Sequence, residues 1–272
     1  MAKLNKSTLG PITGKLDGAT YYMRNGKMIM RRSKNRCSNP TKSVAQASSR
    51  MKWNNVQRLW GTFPQDWKPL FQNRKAGSNN YNAFMSENMH STPIYFTRQE
   101  HLNFASVLVP LQISQGILPE IVIEHNGQQL VSNISVGNAE INTLGQLANA
   151  IIKHNRDFCH GDVLTFVLGQ QREELGIPKV YFHTYALTLD THSNMPLQQA
   201  VAGKYGFEIV NGVMTCAITT GAAAWVHSRV KTDGETIVSS QCLWCENATT
   251  IAQYSSEEAL LRAQKTYGEI KG

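Results

Sequence analysis

Acidic residues are nearly missing from the first quarter of this sequence. Residues 1–76 contain only two, Asp17 and Asp66, against 16 Lys and Arg, so this segment carries a net charge of +14. Residues 77–272 hold 11 basic and 17 acidic groups and carry a net charge of −6. This imbalance predicts an anionic partner for the front segment, such as nucleic acid, a membrane surface or an acidic protein surface. The other interpretation is that the front docks on the chain's own acidic part or on a second copy.

Long apolar runs are missing as well. No stretch approaches the roughly 20 apolar residues of a membrane helix, so we expect no membrane span. Polar residues directly follow the first few residues of the chain, so we expect no signal peptide. The five cysteines are odd in number and irregularly spaced, unlike a secreted disulfide framework. We therefore expect no membrane partner and a cytoplasmic location, or a place in a virion if a phage encodes the chain.

Complete catalytic and cofactor motifs are also missing. Residues 10–15 resemble a phosphate loop, but only three residues separate the glycines, and Leu16 stands where a Ser or Thr would hold the metal. We interpret them as an arm or strand. Cys242 and Cys245 form a CxxC at a strand end, not at the helix start that stabilises a thiolate, and no second pair completes a zinc site. We predict no cofactor, no metal site and no catalytic residue.

Three polar residues near the end of a predicted helix deserve comparison with an active site. His154, His160 and Asp162 lie close together in the sequence, but no nucleophile accompanies them. A histidine near a helix C-terminus interacts favourably with the helix dipole, so we interpret the group as a helix end and a turn. An enzyme assembled from scattered residues stays an open alternative.

A basic hairpin is the strongest positive signal. Asn25-Gly26 separates two strand-like runs at 19–24 and 28–32, and a type I′ turn needs positive φ at both central positions, which Asn and Gly adopt readily. Lys and Arg neutralise phosphates and an aromatic ring can stack on bases. The predicted nucleic-acid or partner contacts are the cations of the hairpin and of the link after it, with one ring: Arg24, Lys27, Arg31, Arg32, Lys34, Arg36 and Tyr22.

The remaining pattern predicts an α+β protein. The front forms a basic arm and hairpin over 1–40, and a small helical unit with helices near 41–61, 66–77 and 78–89 occupies 41–92. A mainly antiparallel β domain then fills 93–272, covered by one or two helices. Its predicted elements are hairpins around Asn126-Gly127, Asn211-Gly212 and Asp233-Gly234, strands at 163–168 and 180–189, and helices at 143–154 and from Ser256.

The runs 9–15, 21–32, 40–42 and 46–51, with the turn Arg24-Asn-Gly-Lys27, carry a family resemblance. Over about the first 60 residues the chain resembles the DUF6266 type, a family of uncharacterised proteins common in Bacteroidota and their mobile elements. The resemblance implies a Bacteroidota or phage-like origin. It implies no activity and no catalytic residue.

We predict a non-enzymatic structural or assembly protein that engages nucleic acid or like subunits through residues 1–60. The charge of the front and the missing catalytic motifs motivate this prediction. The alternative is an enzyme or ligand-binding protein that uses a pocket in the C-terminal β domain.

Overall fold

The computed structural model describes residues 2–4, 13–16, 18–32, 44–74, 76–127, 129–138, 140–197, 207–216, 221–246 and 248–267. The chain divides into two compact units, residues 1–43 and residues 44–270. The strands are β1 Ala2–Leu4, β2 Gly14–Leu16, β3 Ala19–Arg24, β4 Lys27–Arg32, β5 Leu70–Phe71, β6 Gln112–Gln115, β7 Ile123–His125, β8 Leu130–Ser135, β9 Val163–Glu174, β10 Ile177–Thr188, β11 Phe207–Val210, β12 Val213–Cys216, β13 Ala222–Val230, β14 Thr236–Val238, β15 Gln241–Cys242 and β16 Trp244–Cys245. The helices are α1 Val44–Thr62, α2 Asn80–Asn88, α3 Arg98–Leu102, α4 Leu144–His154, α5 Ala248–Ser255 and α6 Glu257–Thr266.

The N-terminal unit contains one four-stranded sheet in the order β1-β4-β3-β2, in which every neighbouring pair is antiparallel. The hairpin β3–β4 was predicted and is confirmed. Its turn has φ of 52° at Asn25 and 69° at Gly26, the two positive values of a type I′ turn. Gly14 lies in β2 rather than in a phosphate loop.

The described strands of the C-terminal unit form three sheets. The central sheet has the order β10-β9-β13-β14, with β16 also paired to β13, and the second has the order β11-β12-β8-β7. The third has the order β15-β6-β5, and β5 pairs with β6 in parallel. The other strand pairs that the structure describes are antiparallel, so the predicted α+β class with a mainly antiparallel β domain is confirmed.

Both faces of strand β13 in the central sheet carry buried residues. Ala224 and Val226 of β13 belong to one core cluster, together with residues of α1 and α2. Their neighbours Ala223 and Trp225 belong to a second cluster, together with residues of α4. Because successive side chains of a strand point to opposite faces, one strand can serve both cores. Helices α1 and α2 thus share a core with one face of β13, and α4 shares a core with the other.

The predicted helical unit at 41–92 shares its core with the β domain. Phe63, at the end of α1, stacks on Phe182 of β10 with ring centroids 4.1 Å apart. Phe84 of α2 lies fully buried in the same cluster. The structure therefore groups residues 44–270 together, whereas the sequence pattern separated 41–92 from 93–272. Short helices with large aromatic residues need a partner surface, and here β10 supplies it.

Several elements differ from the sequence prediction. The helix expected at 66–77 is absent, because Leu70 and Phe71 instead extend along β6, opposite Ser114 and Gln115. Helices α3 and α5 were not predicted, although Thr97 and Glu100 form a complete capping box that opens α3. The helices predicted at 78–89, at 143–154 and from Ser256 are present as α2, α4 and α6.

None of the helices in the described ranges combines the length and the apolar character that crossing a lipid bilayer requires.

Candidate nucleic-acid interface

The register of the N-terminal hairpin places four predicted contact residues on one side of its sheet. Tyr22 pairs with Ile29, Arg24 pairs with Lys27, and Thr20 pairs with Arg31. Residues directly opposite each other on antiparallel strands share a face, and so do residues two apart along a strand. Tyr22, Arg24, Lys27 and Arg31 consequently lie on the same side.

A ring contact agrees with this assignment. The guanidinium carbon of Arg31 lies 5.7 Å from the ring centroid of Tyr22, which is within cation–π range. The two residues are diagonal neighbours across β3 and β4. Tyr22 is half-buried, whereas Arg31 is exposed. The contact holds the guanidinium group of Arg31 beside the ring of Tyr22 at the surface of the sheet.

A further cation on this side was not predicted. Lys15 of β2 is exposed and pairs with Thr20, so it shares the side of Arg31. The sequence gives no register for the short strand β2, and no signal in it could have aligned Lys15 with the hairpin. We call the side of the sheet that carries Lys15, Tyr22, Arg24, Lys27 and Arg31 the basic face.

Arg32 departs from the predicted set. It pairs with Ala19 and therefore lies on the opposite side of the sheet, together with Tyr21 and Met30. Neighbouring residues of a strand alternate between faces, so Arg31 and Arg32 cannot both contribute to one flat interface. The other two predicted contacts, Lys34 and Arg36, lie outside the described residues.

The basic face has an unfavourable charge arrangement. Arg24 and Lys27 are both exposed and stand directly opposite each other beside the turn. Like charges at such positions destabilise a hairpin by a few tenths of a kcal/mol to about 1 kcal/mol. Residues 1–43 contain ten Lys and Arg but a single acid, Asp17, which lies outside the described residues. An anion bound on this face would relieve the repulsion.

Arg58 of α1 has a packing role. Arg58 is half-buried, and its guanidinium donates hydrogen bonds to the backbone carbonyls of Ala105 and His101. It also lies over the ring of Phe96, 5.3 Å from the centroid. Arg58 therefore joins α1 to the segment around α3, and this packing role engages both terminal nitrogens of its guanidinium group.

The CxxC cysteines are poor thiolates. Burial raises the pKa of Cys245 to about 12. Burial, and secondarily the charge of Glu120, also raises the pKa of Cys242. A thiol is nucleophilic only when it is deprotonated. At neutral pH both side chains are protonated, so the pair lacks the activated thiolate of a redox motif.

Asp162 belongs to a buried ion-pair network at the start of β9. Its carboxylate lies 2.8 Å from Nε2 of His227 and accepts a hydrogen bond of 2.7 Å from Nε of Arg229. The backbone N–H of Cys159 donates to it as well, at 2.7 Å. Burial alone would raise the pKa of Asp162, but these hydrogen bonds outweigh burial and lower it to about 2. Of the predicted group, His154 is the last residue of α4, His160 lies in the turn before β9, and Asp162 anchors that turn.

No family model, curated protein or solved structure matches the chain. The resemblance of the first 60 residues to the DUF6266 type therefore stays a prediction.

Proposed function

We propose that this protein is a non-enzymatic structural or assembly protein that binds nucleic acid through the basic face of its N-terminal sheet. The observation that supports this most directly is the gathering of Lys15, Arg24, Lys27 and Arg31 on one side of a sheet. A cell interior or a virion is the location we propose with it.

The size of the basic face suits a stretch of nucleic-acid backbone. From the turn at Lys27 to Arg31 the strand advances about 13 Å, and from β2 to β4 the sheet is about 10 Å wide. One DNA strand carries a phosphate every 3.4 Å along the helix axis, so about four phosphates fall within this length. The exposed cations described on this face are Lys15, Arg24, Lys27 and Arg31.

The proposed contact is weakly specific for sequence. Cations on flexible side chains contact phosphates, which carry no base information. Tyr22 is the one described aromatic residue on this face, and a ring held beside Arg31 can stack on an unpaired base. We therefore expect single strands to bind at least as well as duplex of equal length.

The salt dependence provides a quantitative expectation. Four phosphate contacts give a slope of log affinity against log salt of about −3.6 on duplex DNA. Raising the salt concentration from about 50 mM to about 200 mM should then weaken binding about a hundredfold. A protein surface recognised through apolar contacts would show a much smaller salt effect.

The proposal is tested by replacing three of these cations together. We expect the variant Arg24→Gln, Lys27→Gln, Arg31→Gln to lose most of the affinity for a fluorescent single-stranded oligonucleotide at low salt. Binding is measured by fluorescence anisotropy. The side chains are exposed, so circular dichroism should show an unchanged fold.

The matched control removes the same charge elsewhere. Arg50, Lys153 and Lys265 are exposed cations of the C-terminal unit, and their joint change to Gln should leave most of the affinity intact. Equal losses in both triple variants would show that net charge, not the basic face, is responsible. Undetectable binding by the unmodified chain at low salt would overturn the proposal.

Engagement of like subunits is the second candidate, and the opposite side of the same sheet favours it. Tyr21, Met23, Met28 and Met30 share that side, and Met23 is 43% exposed. The described residues of this unit form strands and turns alone, and so small a sheet seldom folds unsupported. The molar mass of the variant Met23→Lys, measured by light scattering, separates the two candidates. An oligomer that is lost while oligonucleotide binding is retained would assign this side of the sheet to assembly.

The enzymatic alternative requires a pocket with reactive groups. A cavity of about 310 Å³ on the C-terminal unit is lined by Gln171, Arg172, Glu173, Gly176, Pro178, Thr250, Gln253 and Tyr254. Its lining has no His, Asp or Cys. Burial is the main cause that raises the pKa of its Tyr254 to about 12. This cavity therefore offers no activated nucleophile to support the alternative.

A further inference from the structure

Two loops at one end of the central sheet bring together a set of metal-binding side chains. Val163, at the start of β9, pairs with Thr188, at the end of β10. The turn before β9 and the loop after β10 are consequently neighbours. The first carries His160, and the second carries Asp190 and His192. One ligand atom from each of the three residues lies within 4.8 Å of the other two.

The nitrogens and the carboxylate converge around Thr191. Nδ1 of His160 lies 3.0 Å from the Thr191 hydroxyl, and Nδ1 of His192 lies 3.3 Å from the same oxygen. Asp190 Oδ1 is 3.7 Å from Nδ1 of His192. The two imidazole rings meet edge to face, with centroids 5.3 Å apart. Three potential ligands thus point toward one small volume at the surface.

The backbone that carries these side chains is fixed. Gly161 N–H donates to Leu189 O at 3.0 Å, and Leu189 N–H donates to Asp162 O at 2.7 Å. The side chain of Asn149, on α4, donates to Thr191 O at 3.2 Å. The buried carboxylate of Asp162 accepts from Cys159 N–H, one residue before His160. Binding an ion would therefore order only three side chains, which favours affinity.

We propose that His160, Asp190 and His192 bind a divalent transition-metal ion of the zinc class. Zn²⁺ takes imidazole nitrogen and carboxylate oxygen at about 2.0–2.2 Å, which places ligand atoms of a tetrahedral site roughly 3.3 Å apart. The separations here are within about 1.5 Å of that value, and rotation of the exposed His160 and His192 side chains closes the difference. Imidazole with a single carboxylate disfavours Mg²⁺ and Ca²⁺, which prefer ligand sets of oxygen alone.

The site would have open coordination positions. Three protein ligands leave at least one position of a four-coordinate ion to water or to a group from another molecule. The exposure of both histidines makes that position reachable from solvent. The three ligands all belong to the C-terminal unit, and the basic face belongs to the N-terminal unit.

Titration of the full chain with Zn²⁺ tests the proposal. We expect isothermal titration calorimetry of the chelator-treated protein to show saturable binding of one Zn²⁺ per chain. His160→Gln and His192→Gln should each weaken this binding by about tenfold or more. Both histidines are exposed, so the metal-free variants should keep the thermal midpoint of the unmodified chain, whereas only the unmodified chain should gain stability on adding Zn²⁺.

Two control variants separate this site from other zinc ligands. His90→Gln removes an exposed histidine that lies on another part of the surface, and Cys242→Ser removes an exposed thiol. Both should bind Zn²⁺ as the unmodified chain does. Substitution with Co²⁺ should give visible absorption without a sulfur charge-transfer band. Stoichiometric binding that survives in the double variant His160→Gln, His192→Gln would overturn the proposal, and so would the absence of saturable binding by the unmodified chain.

Discussion

Asp162 shows how one carboxylate can organise the end of a sheet. It is 1% exposed, and its carboxylate accepts hydrogen bonds from two partners on β13, His227 and Arg229, and from the N–H of Cys159 in the turn before β9. His227 is further fixed by the ring of Phe158, 4.3 Å away. A charge buried in this way is stable only while its partners remain in place.

Removing this charge should destabilise the protein. In Asp162→Asn the neutral amide cannot compensate the charge of Arg229, and its NH₂ group can meet the donor groups of Arg229 and His227. We therefore expect the free energy of unfolding to fall by about 3 kcal/mol at neutral pH. Urea denaturation followed by circular dichroism measures the difference. Asp157→Asn, in the exposed turn nearby, should change the free energy of unfolding by less than about 0.5 kcal/mol.

The same carboxylate predicts a pH dependence. The pKa of Asp162 in the folded chain is lowered to about 2, below the value of an unfolded chain. The stabilisation is therefore complete above about pH 4, and about 2 kcal/mol is lost as the pH falls toward 2. Asp162→Asn should lack this part of the acid slope. An unchanged slope in the variant would contradict the assignment.

At the scale of elements, three turns share a pair of positive φ values, but only two of them could be predicted from the sequence. Asn25-Gly26 and Asn211-Gly212 both have positive φ at both positions, and both were predicted from their residues. Leu175-Gly176 joins β9 to β10 with φ of 52° and 77°, yet leucine is not a turn former and gave no signal. The sequence pattern consequently found β9 and β10 as separate strands and missed the long hairpin that they form.

Leu175 should be a site of removable strain. Its side chain is fully exposed and contributes no packing, while its left-handed backbone conformation is costly for a leucine. We expect Leu175→Asn to raise the free energy of unfolding by about 1 kcal/mol. Leu175→Val should lower it, because a β-branched residue tolerates this conformation less well. Chemical denaturation of the three proteins measures both changes, and an identical response to Asn and Val would refute the explanation.

The candidate interface was predictable in part. The charge and the Asn-Gly turn located the hairpin, and the alternation of a strand separates Arg31 from Arg32 once the strand is accepted. Lys15 could not be assigned, because the pairing of β2 with β3 depends on a register that short polar segments do not encode. The metal-binding group was missed for a similar reason: His160 and His192 are 32 positions apart and meet only through the pairing of β9 with β10.

At the scale of the whole molecule, two units differ in composition and construction. Residues 44–270 contain two large core clusters, and strand β13 contributes to both. The described part of residues 1–43 forms a sheet with Lys15, Arg24, Lys27 and Arg31 on one side and the exposed Met23 on the other. Contacts distant in sequence, such as that of Phe63 with Phe182, joined the helices at 44–88 to the larger unit. Local sequence patterns do not contain such contacts, so the sequence could not show that the predicted parts 41–92 and 93–272 share a core.

The central claim is that the basic face, rather than the net charge, binds nucleic acid. Arg31 and Arg32 offer a direct test, because they are adjacent in sequence, equal in charge and located on opposite sides of the sheet. The measurement is the slope of log affinity against log salt for one oligonucleotide, compared between Arg31→Gln and Arg32→Gln. The account predicts that Arg31→Gln makes the slope shallower by about 0.7 to 0.9, the effect of one phosphate contact, while Arg32→Gln leaves it near that of the unmodified chain. Equal changes in the two variants would contradict the account.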